Sequence, residues 1–169
     1  DAIRCERESA PRHFRFSNDG KFIYLMYEQK NVIDVYTYEG KDRVPQIEKI
    51  QTISTMGPKG KKIAAACCMR FSEDQQYVYC GNAGDETVSV FRRNAETGML
   101  ELLCSLPPSG EYPKDIAVFP DNKHIAVMNH ESGNITFFAV DYEKGLLVMC
   151  AKELKCNQPN CCAIVRVAP

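Results

Sequence analysis

The sequence predicts an all-β chain built from repeated four-stranded units, and three observations carry that reading. A hairpin signature recurs: Ala10 to Glu28 reads APRHFRFSNDGKFIYLMYE, Ala66 to Gly81 reads ACCMRFSEDQQYVYCG, and Pro113 to Asn129 reads PKDIAVFPDNKHIAVMN. Asp19, Asp74 and Asp121 occupy the same place in the three copies, 55 and 47 residues apart. Between the hairpins lie short runs of β-branched and aromatic residues separated by turn residues, with no credible helix. Four antiparallel strands in a unit of about 46 residues is the size of a β-propeller blade.

The elements follow in order. Asp1 to Ser9 has little pattern and fits an outer strand or linker of a preceding unit. The first unit spans 10–55. Its hairpin pairs Phe14–Phe16 with Phe22–Tyr27 across Ser17-Asn18-Asp19-Gly20, where Asp-Gly is a strong turn signal. Val32–Tyr38 and Ile47–Ile53 complete the unit across a turn at Gly40-Lys41-Asp42. The second unit, 64–108, takes Cys68–Phe71, Tyr77–Cys80, Thr87–Arg92 and Leu100–Leu106, with Asn94 to Gly98 as its last turn. The basic segment Gly57 to Lys62 before it is a solvated insertion that explains the longer first step. The third unit, 111–156, takes Asp115–Val118, His124–Met128, Asn134–Val140 and Leu146–Ala151, with Gly145 matching Gly98. Residues 159–167, opening as PNCCAIVRV, are expected to add one innermost strand. The whole of 1–169 reads as a single partial propeller domain. Phe16, Phe71, Val118 and Ile164 fall at equivalent innermost positions and are expected to be buried.

Composition removes several classes of function. Twenty-one basic and 22 acidic residues leave a net charge of -1, with no basic stripe carrying interleaved aromatics, so no nucleic-acid partner is expected. No apolar run approaches the roughly 18 residues of a membrane span. The opening DAIRCERES has neither an initiator Met nor a signal peptide's apolar stretch, which reads as an interior or processed start. Nine cysteines, an odd number lying mostly within apolar strand patterns, read as reduced thiols of a cytoplasmic protein. A zinc site on Cys156 and Cys161 would need further ligands, and no CxxC or nearby His supplies them, so no metal is expected.

Three blades and one strand cannot close a ring, since propellers need at least about four blades. Open strand edges and apolar blade faces then require a cover, either the remaining blades of a parent chain or self-association.

The repeat wording resembles the lactonase family of seven-bladed propellers, of the 6-phosphogluconolactonase type and related to carboxymuconate cyclases. APRHFRFSNDGKFIYLMYE follows a family pattern like GPRHxxFSPDGKFxYVxNE, and GNAGDETVSVFRRNAETGMLELL continues in family style. EYPKDIAVFPDNKHIAV resembles the WPRDF-type blade opening, and PNCCAIVRV resembles the family's chain end. The resemblance covers essentially the whole chain and matches the C-terminal half of a seven-bladed parent.

What the resemblance implies is hydrolysis of an anionic sugar lactone without a cofactor, within carbohydrate metabolism of the pentose phosphate type. It also implies a site at one mouth of the central channel, using an earlier blade's His, the PRH Arg, the following Glu and the PRD Arg. Arg12 and Glu28 stand at two of these positions. Lys114 takes the PRD position, keeping charge but losing the bidentate fork. Tyr27 replaces the usual Asn before the Glu, and Asn18 the Pro of the turn. The earlier-blade His has no counterpart here.

Strand pairing alone also brings these residues together. Arg12 opens the first arm of its hairpin and Glu28 ends the second, so antiparallel pairing puts both at one end of the blade. Lys114 opens the third unit's first arm, and His130 stands where Glu28 does in its own unit. Glu28 would act as general base, Arg12 as oxyanion or phosphate partner, Lys114 as added positive charge, and His130 as a substrate contact. His13 reads as a packed strand residue and His124 as a blade-surface residue. The other reading makes Arg12 and Glu28 a structural ion pair and the whole a non-catalytic scaffold binding a protein or small ligand. A third keeps the site for muconate-type lactone-forming isomerisation.

Overall fold

In a computed structural model the chain is all β, with residues 2–41, 44–61, 63–165 and 167 described. Three sheets form in chain order. Blade 1 comprises β1 (Pro11–Phe16), β2 (Phe22–Tyr27), β3 (Val32–Lys41) and β4 (Val44–Ser54), paired in that order. Blade 2 comprises β5 (Ala65–Phe71), β6 (Tyr77–Ala83), β7 (Thr87–Arg93) and β8 (Leu100–Leu106). Blade 3 comprises β9 (Pro113–Val118), β10 (His124–Asn129), β11 (Asn134–Asp141) and β12 (Leu146–Met149), and β13 (Leu154–Lys155) continues along the free edge of β11. All pairings are antiparallel, and β5 lies beside both β1 and β9, so the innermost strands are neighbours. Among the described residues no helix is long and apolar enough to cross a membrane.

Two cores lie between the blades. Phe22, Tyr24, Met26, Ile33 and Val35 of blade 1 pack against Met69, Val78, Cys80, Phe91 and Leu100 of blade 2. The opposite face of blade 2, with Cys68, Tyr79, Val88 and Val90, meets Ile116, Ile125, Val127, Phe138 and Val140 of blade 3. A central strand buried on both faces has no polar side to alternate, which is why β2 and the main part of β6 are buried continuously. Gly98, in the left-handed region at φ 73°, closes the β7–β8 turn against the Phe22 ring, where any Cβ would collide. Its carbonyl accepts a 2.7 Å bond from Tyr24 Oη, which also takes one from Arg93 Nε, tying the blades together behind the core.

Three expectations need correction. Residues 159–165 form no strand, and the added strand is β13 instead. The segment nevertheless starts as innermost strands do here. Gln158 adopts the same left-handed φ as Ala10 and Tyr112, each directly before the proline that opens its segment. An innermost strand takes its hydrogen bonds from the second strand of its own blade, and among the described residues none pairs with 159–165. Burial of the equivalent innermost positions fails at two places: Phe16 is 44% and Ile164 41% exposed, while Phe71 and Val118 are half-buried against the two cores. Phe71 and Val118 face a preceding blade; Phe16 faces none and packs on Phe14 and Tyr38. Finally, β3 continues through Gly40 and Lys41 of the expected turn, while its third residue, Asp42, like Lys62 of the basic insertion, lies outside the described residues.

Candidate active site

The site begins with an irregularity in strand pairing. In β1, Pro11 pairs with Tyr27 and His13 with Met26, which leaves Arg12 as an extra residue in the strand. In β5 the same slip falls at Cys67, between Ala66 and Cys68, and in β9 at Lys114, between Pro113 and Asp115. Each is a β-bulge, which bends the strand and re-aims the extra side chain. The spacing of 55 and 47 residues found for the hairpin turns also separates these three positions. The repeat thus presents one bulged residue per blade at a single end of the innermost strands.

Those residues converge on a cavity of about 220 Å³. One row of its lining is Arg12, Cys67, Lys114 and Asn160; the next is His13, Cys68, Asp115 and Cys161; Arg70 completes it. Each row holds one residue from each blade and one from the tail, so the tail lies where the next blade's innermost strand would run. Hollows of about 460 and 710 Å³ lie along the 57–60 segment and the β7–β8 turn, away from this cluster of charges.

Arg12 is held at two points. Its Nε donates to the Cys67 carbonyl at 2.8 Å, and its Nη1 meets Glu28 Oε2 at 2.8 Å. Glu28 is fixed through its backbone, whose N–H donates to the Ala10 carbonyl and whose carbonyl accepts from Ala66 N–H of blade 2. Lys114 sets its ammonium 4.9 Å from the centre of the Tyr112 ring, a cation–π contact. Gly81 of β6 lets the start of β9 pack close, because a Cβ there would strike the Pro113 carbonyl oxygen. Arg12 and Lys114 therefore line one cavity, and Glu28 is attached to it through Arg12. His130 does not line it: its Nδ1 lies 3.3 Å from the Pro159 carbonyl, with its ring against Tyr112.

Two further groups shape the mouth. Arg70 donates to both carboxylate oxygens of Asp115, at 2.9 and 2.6 Å, and Asp115 is only 5% exposed. Burial alone would raise the Asp115 pKa, but the Arg70 bonds and the Cys162 and Ile116 amides outweigh it and hold the carboxyl below its usual range. The same carboxylate sits beside the Cys162 thiol, which burial first and this charge second push up to about 12. His13 accepts a bond from Met69 N–H at Nδ1, 3.3 Å away. Its pKa is lowered, by burial foremost and with the charges of Arg12, Arg15 and Arg70 opposing protonation as well. All nine thiols are unbridged, and among the described residues no cluster of His, Cys, Asp and Glu could hold a metal ion.

Sequence reasoning placed Arg12, Glu28 and Lys114 at one end of the blades, read His13 as a packed strand residue, and missed Arg70, Asp115 and Asn160. The signal was available in the repeat register, which aligns Arg12 with Cys67, Lys114 and Asn160, and His13 with Cys68, Asp115 and Cys161.

The fold is an arc of propeller blades with a charged cavity at one end of its innermost strands. A family model described as Lactonase, 7-bladed beta-propeller matches residues 1–164, and the chain belongs to this family. It is 26% identical over 153 residues to a 6-phosphogluconolactonase of Bacillus subtilis, covering 90% of this chain and 43% of the relative. It is 28% identical to a 6-phosphogluconolactonase of Formosa agariphila, covering 93% of this chain and 44% of the relative. Among solved structures, a periplasmic gluconolactonase of Pseudomonas aeruginosa superimposes with a TM-score of 0.83 at 24% identity, over 94% of this chain and 43% of that one, a likeness of fold. The chain thus spans less than half the length of these relatives.

Proposed function

We propose that the intact protein carrying this chain hydrolyses an anionic sugar lactone, of which 6-phosphogluconolactone is the expected substrate, to the corresponding hydroxy acid. The observation that carries the reading is the bulged Arg12, pinned by Glu28 and the Cys67 carbonyl beside Lys114 in one cavity. Relatives bearing the 6-phosphogluconolactonase name support the substrate class.

Lactone hydrolysis needs an activated water, a partner for the oxyanion and an anchor for the substrate's anionic group. Glu28 keeps Oε2 on Arg12 and takes the proton of the attacking water through its other oxygen, a role worth about 10²- to 10⁴-fold. Arg12 and Lys114 supply the positive field for the tetrahedral oxyanion and the phosphate. The ring C–O bond then breaks, and the proton held by Glu28 passes to the leaving ring oxygen. His130 contacts substrate from the rim. No cofactor is required by these steps.

The open faces of blades 1 and 3, where Phe14 and Phe16 are exposed and Ile135, Phe137 and Ala139 are half-buried, are where the remaining blades of the parent, or a second copy, pack. A cytoplasmic setting, suited to nine thiols, belongs to this proposal.

The test is an assay of the purified full-length protein for 6-phosphogluconolactone hydrolysis above the spontaneous rate. Turnover that is abolished in Arg12→Lys or strongly reduced supports the reading. A full-length protein that binds the lactone without turning it over favours the scaffold reading, and lactone formation from a muconate-type acid the isomerase. The 169-residue chain alone is expected to be inactive, because groups that act as a unit lose nearly all activity when divided. Hydrolysis by the isolated chain would contradict this.

A further inference from the structure

Two polar side chains in the second row of the cavity lining, the half-buried His13 and the buried Asp115, do the same structural task. His13 of blade 1 accepts the Met69 amide of blade 2, and Asp115 of blade 3 accepts the Cys162 amide of the tail. Met69 and Cys162 stand at equivalent positions of the repeat, so each bond links one innermost strand to the next. Asp115 spends its remaining capacity on Arg70 and the Ile116 amide. His13 differs, because an imidazole has a second nitrogen.

A backbone N–H can only donate, so the Met69 bond requires a lone pair on Nδ1. The neutral ring then carries its proton on Nε2. The ring lines the cavity beside Arg12, and Nδ1 is occupied, which leaves Nε2–H as its free polar group. We infer that His13 Nε2–H is a fixed, neutral donor to the lactone carbonyl oxygen, sharing the developing oxyanion with Arg12. This rests on the lactonase reading and adds to it a catalytic residue outside the Arg12, Glu28 and Lys114 set. Water adds to the carbonyl carbon while Glu28 accepts its proton, and the C=O electron pair moves to the oxygen that His13 and Arg12 hold. When that pair returns, the ring C–O bond breaks and the ring oxygen takes the proton from Glu28. His13 neither gains nor loses a proton. Burial and three flanking arginines suit that task, since they oppose imidazolium formation. A donor aimed where charge develops stabilises the transition state more than the ground state.

Two substitutions separate the link from the donor. His13→Asn keeps an acceptor near the Nδ1 position and loses the Nε2 donor; His13→Gln places an amide N–H near the Nε2 position. In the full-length protein His13→Asn is expected to lower kcat about 10²-fold with KM within about threefold and an unchanged melting midpoint. His13→Gln is expected to recover at least about tenfold of that loss. Nitrogen-15 spectra of the protein should show His13 as the neutral Nε2–H tautomer at pH 7. Full kcat in His13→Asn, or an Nδ1–H tautomer, overturns the inference. If Glu28→Gln abolishes turnover while His13→Asn does not, this inference alone fails; if both leave turnover intact, the Glu28 assignment fails with it; and if the unaltered full-length protein does not hydrolyse the lactone, the lactonase reading itself fails.

Discussion

Arg12–Glu28 and Arg70–Asp115 sit at the same mouth, one blade apart, in different settings. Arg12 meets Glu28 through one nitrogen, and both side chains stay about a third exposed, at 32% and 31%. Arg70 grips Asp115 through two nitrogens, and that carboxylate is 5% exposed with two backbone amides also on it. An exposed, single-contact pair contributes little to stability because water and salt screen it. A buried, bidentate pair leaves an uncompensated charge when either partner is removed. The comparison teaches that equal residue types at one mouth divide the work. Arg70–Asp115 locks blade 2, blade 3 and the tail together, whereas Arg12–Glu28 stays accessible from the cavity side, as a pair that meets a substrate under the proposed function must.

The largest expected effect is therefore on stability, at Arg70. Arg70→Met should cost about 3 kcal/mol in urea unfolding, while Arg12→Met should cost about 1 kcal/mol or less. Equal losses would dissolve the distinction. Acid sharpens it. The Asp115 carboxyl is held below its usual range when folded, so its contribution is complete above the unfolded value of about 4 and is lost as pH falls through the folded value. The stability gap between parent and Arg70→Met should be constant at neutral pH and narrow below about pH 4. A gap that widens in acid would contradict the assignment.

Next in size is Lys114, which lines the cavity with its ammonium over the Tyr112 ring and, among the described residues, no carboxylate partner. Lys114→Met should lower kcat/KM for the anionic lactone about tenfold or more in the full-length protein, and Lys114→Arg should largely restore it. Unaltered kinetics in Lys114→Met would confine the positive field to Arg12. The smallest effect belongs to His130, whose ring is turned to Pro159 and Tyr112 outside the cavity. His130→Ala should change KM by about threefold or less with kcat unaffected. A larger loss of kcat would move the substrate's position toward the rim.

The sequence made the blades legible because hairpin turns and strand periodicity are local. Phe22–Tyr27 and Leu100–Leu106 stand where their pattern put them. It also placed Arg12, Glu28 and Lys114 at one end, since antiparallel pairing and repeat symmetry suffice for that. The bulges were not legible, because a bulge is a mismatch between two strands and Arg12 carries no mark of it alone. Arg70 and Asp115, 45 residues apart, meet only when blades stack. Phe16 and Ile164 failed as core positions for a related reason: period-two alternation names a face, and a face is buried only where another blade covers it.

Glu28→Gln in the full-length protein tests most directly whether Glu28 acts on the substrate's water, as proposed, and not merely on Arg12. Glutamine keeps the size and a hydrogen bond but cannot accept the proton. Measured per folded molecule, kcat should fall about a hundredfold or more while the thermal midpoint stays within about a degree or two of the parent's. A lowered midpoint with kcat near the parent's would contradict the account and make Arg12–Glu28 a second structural pair.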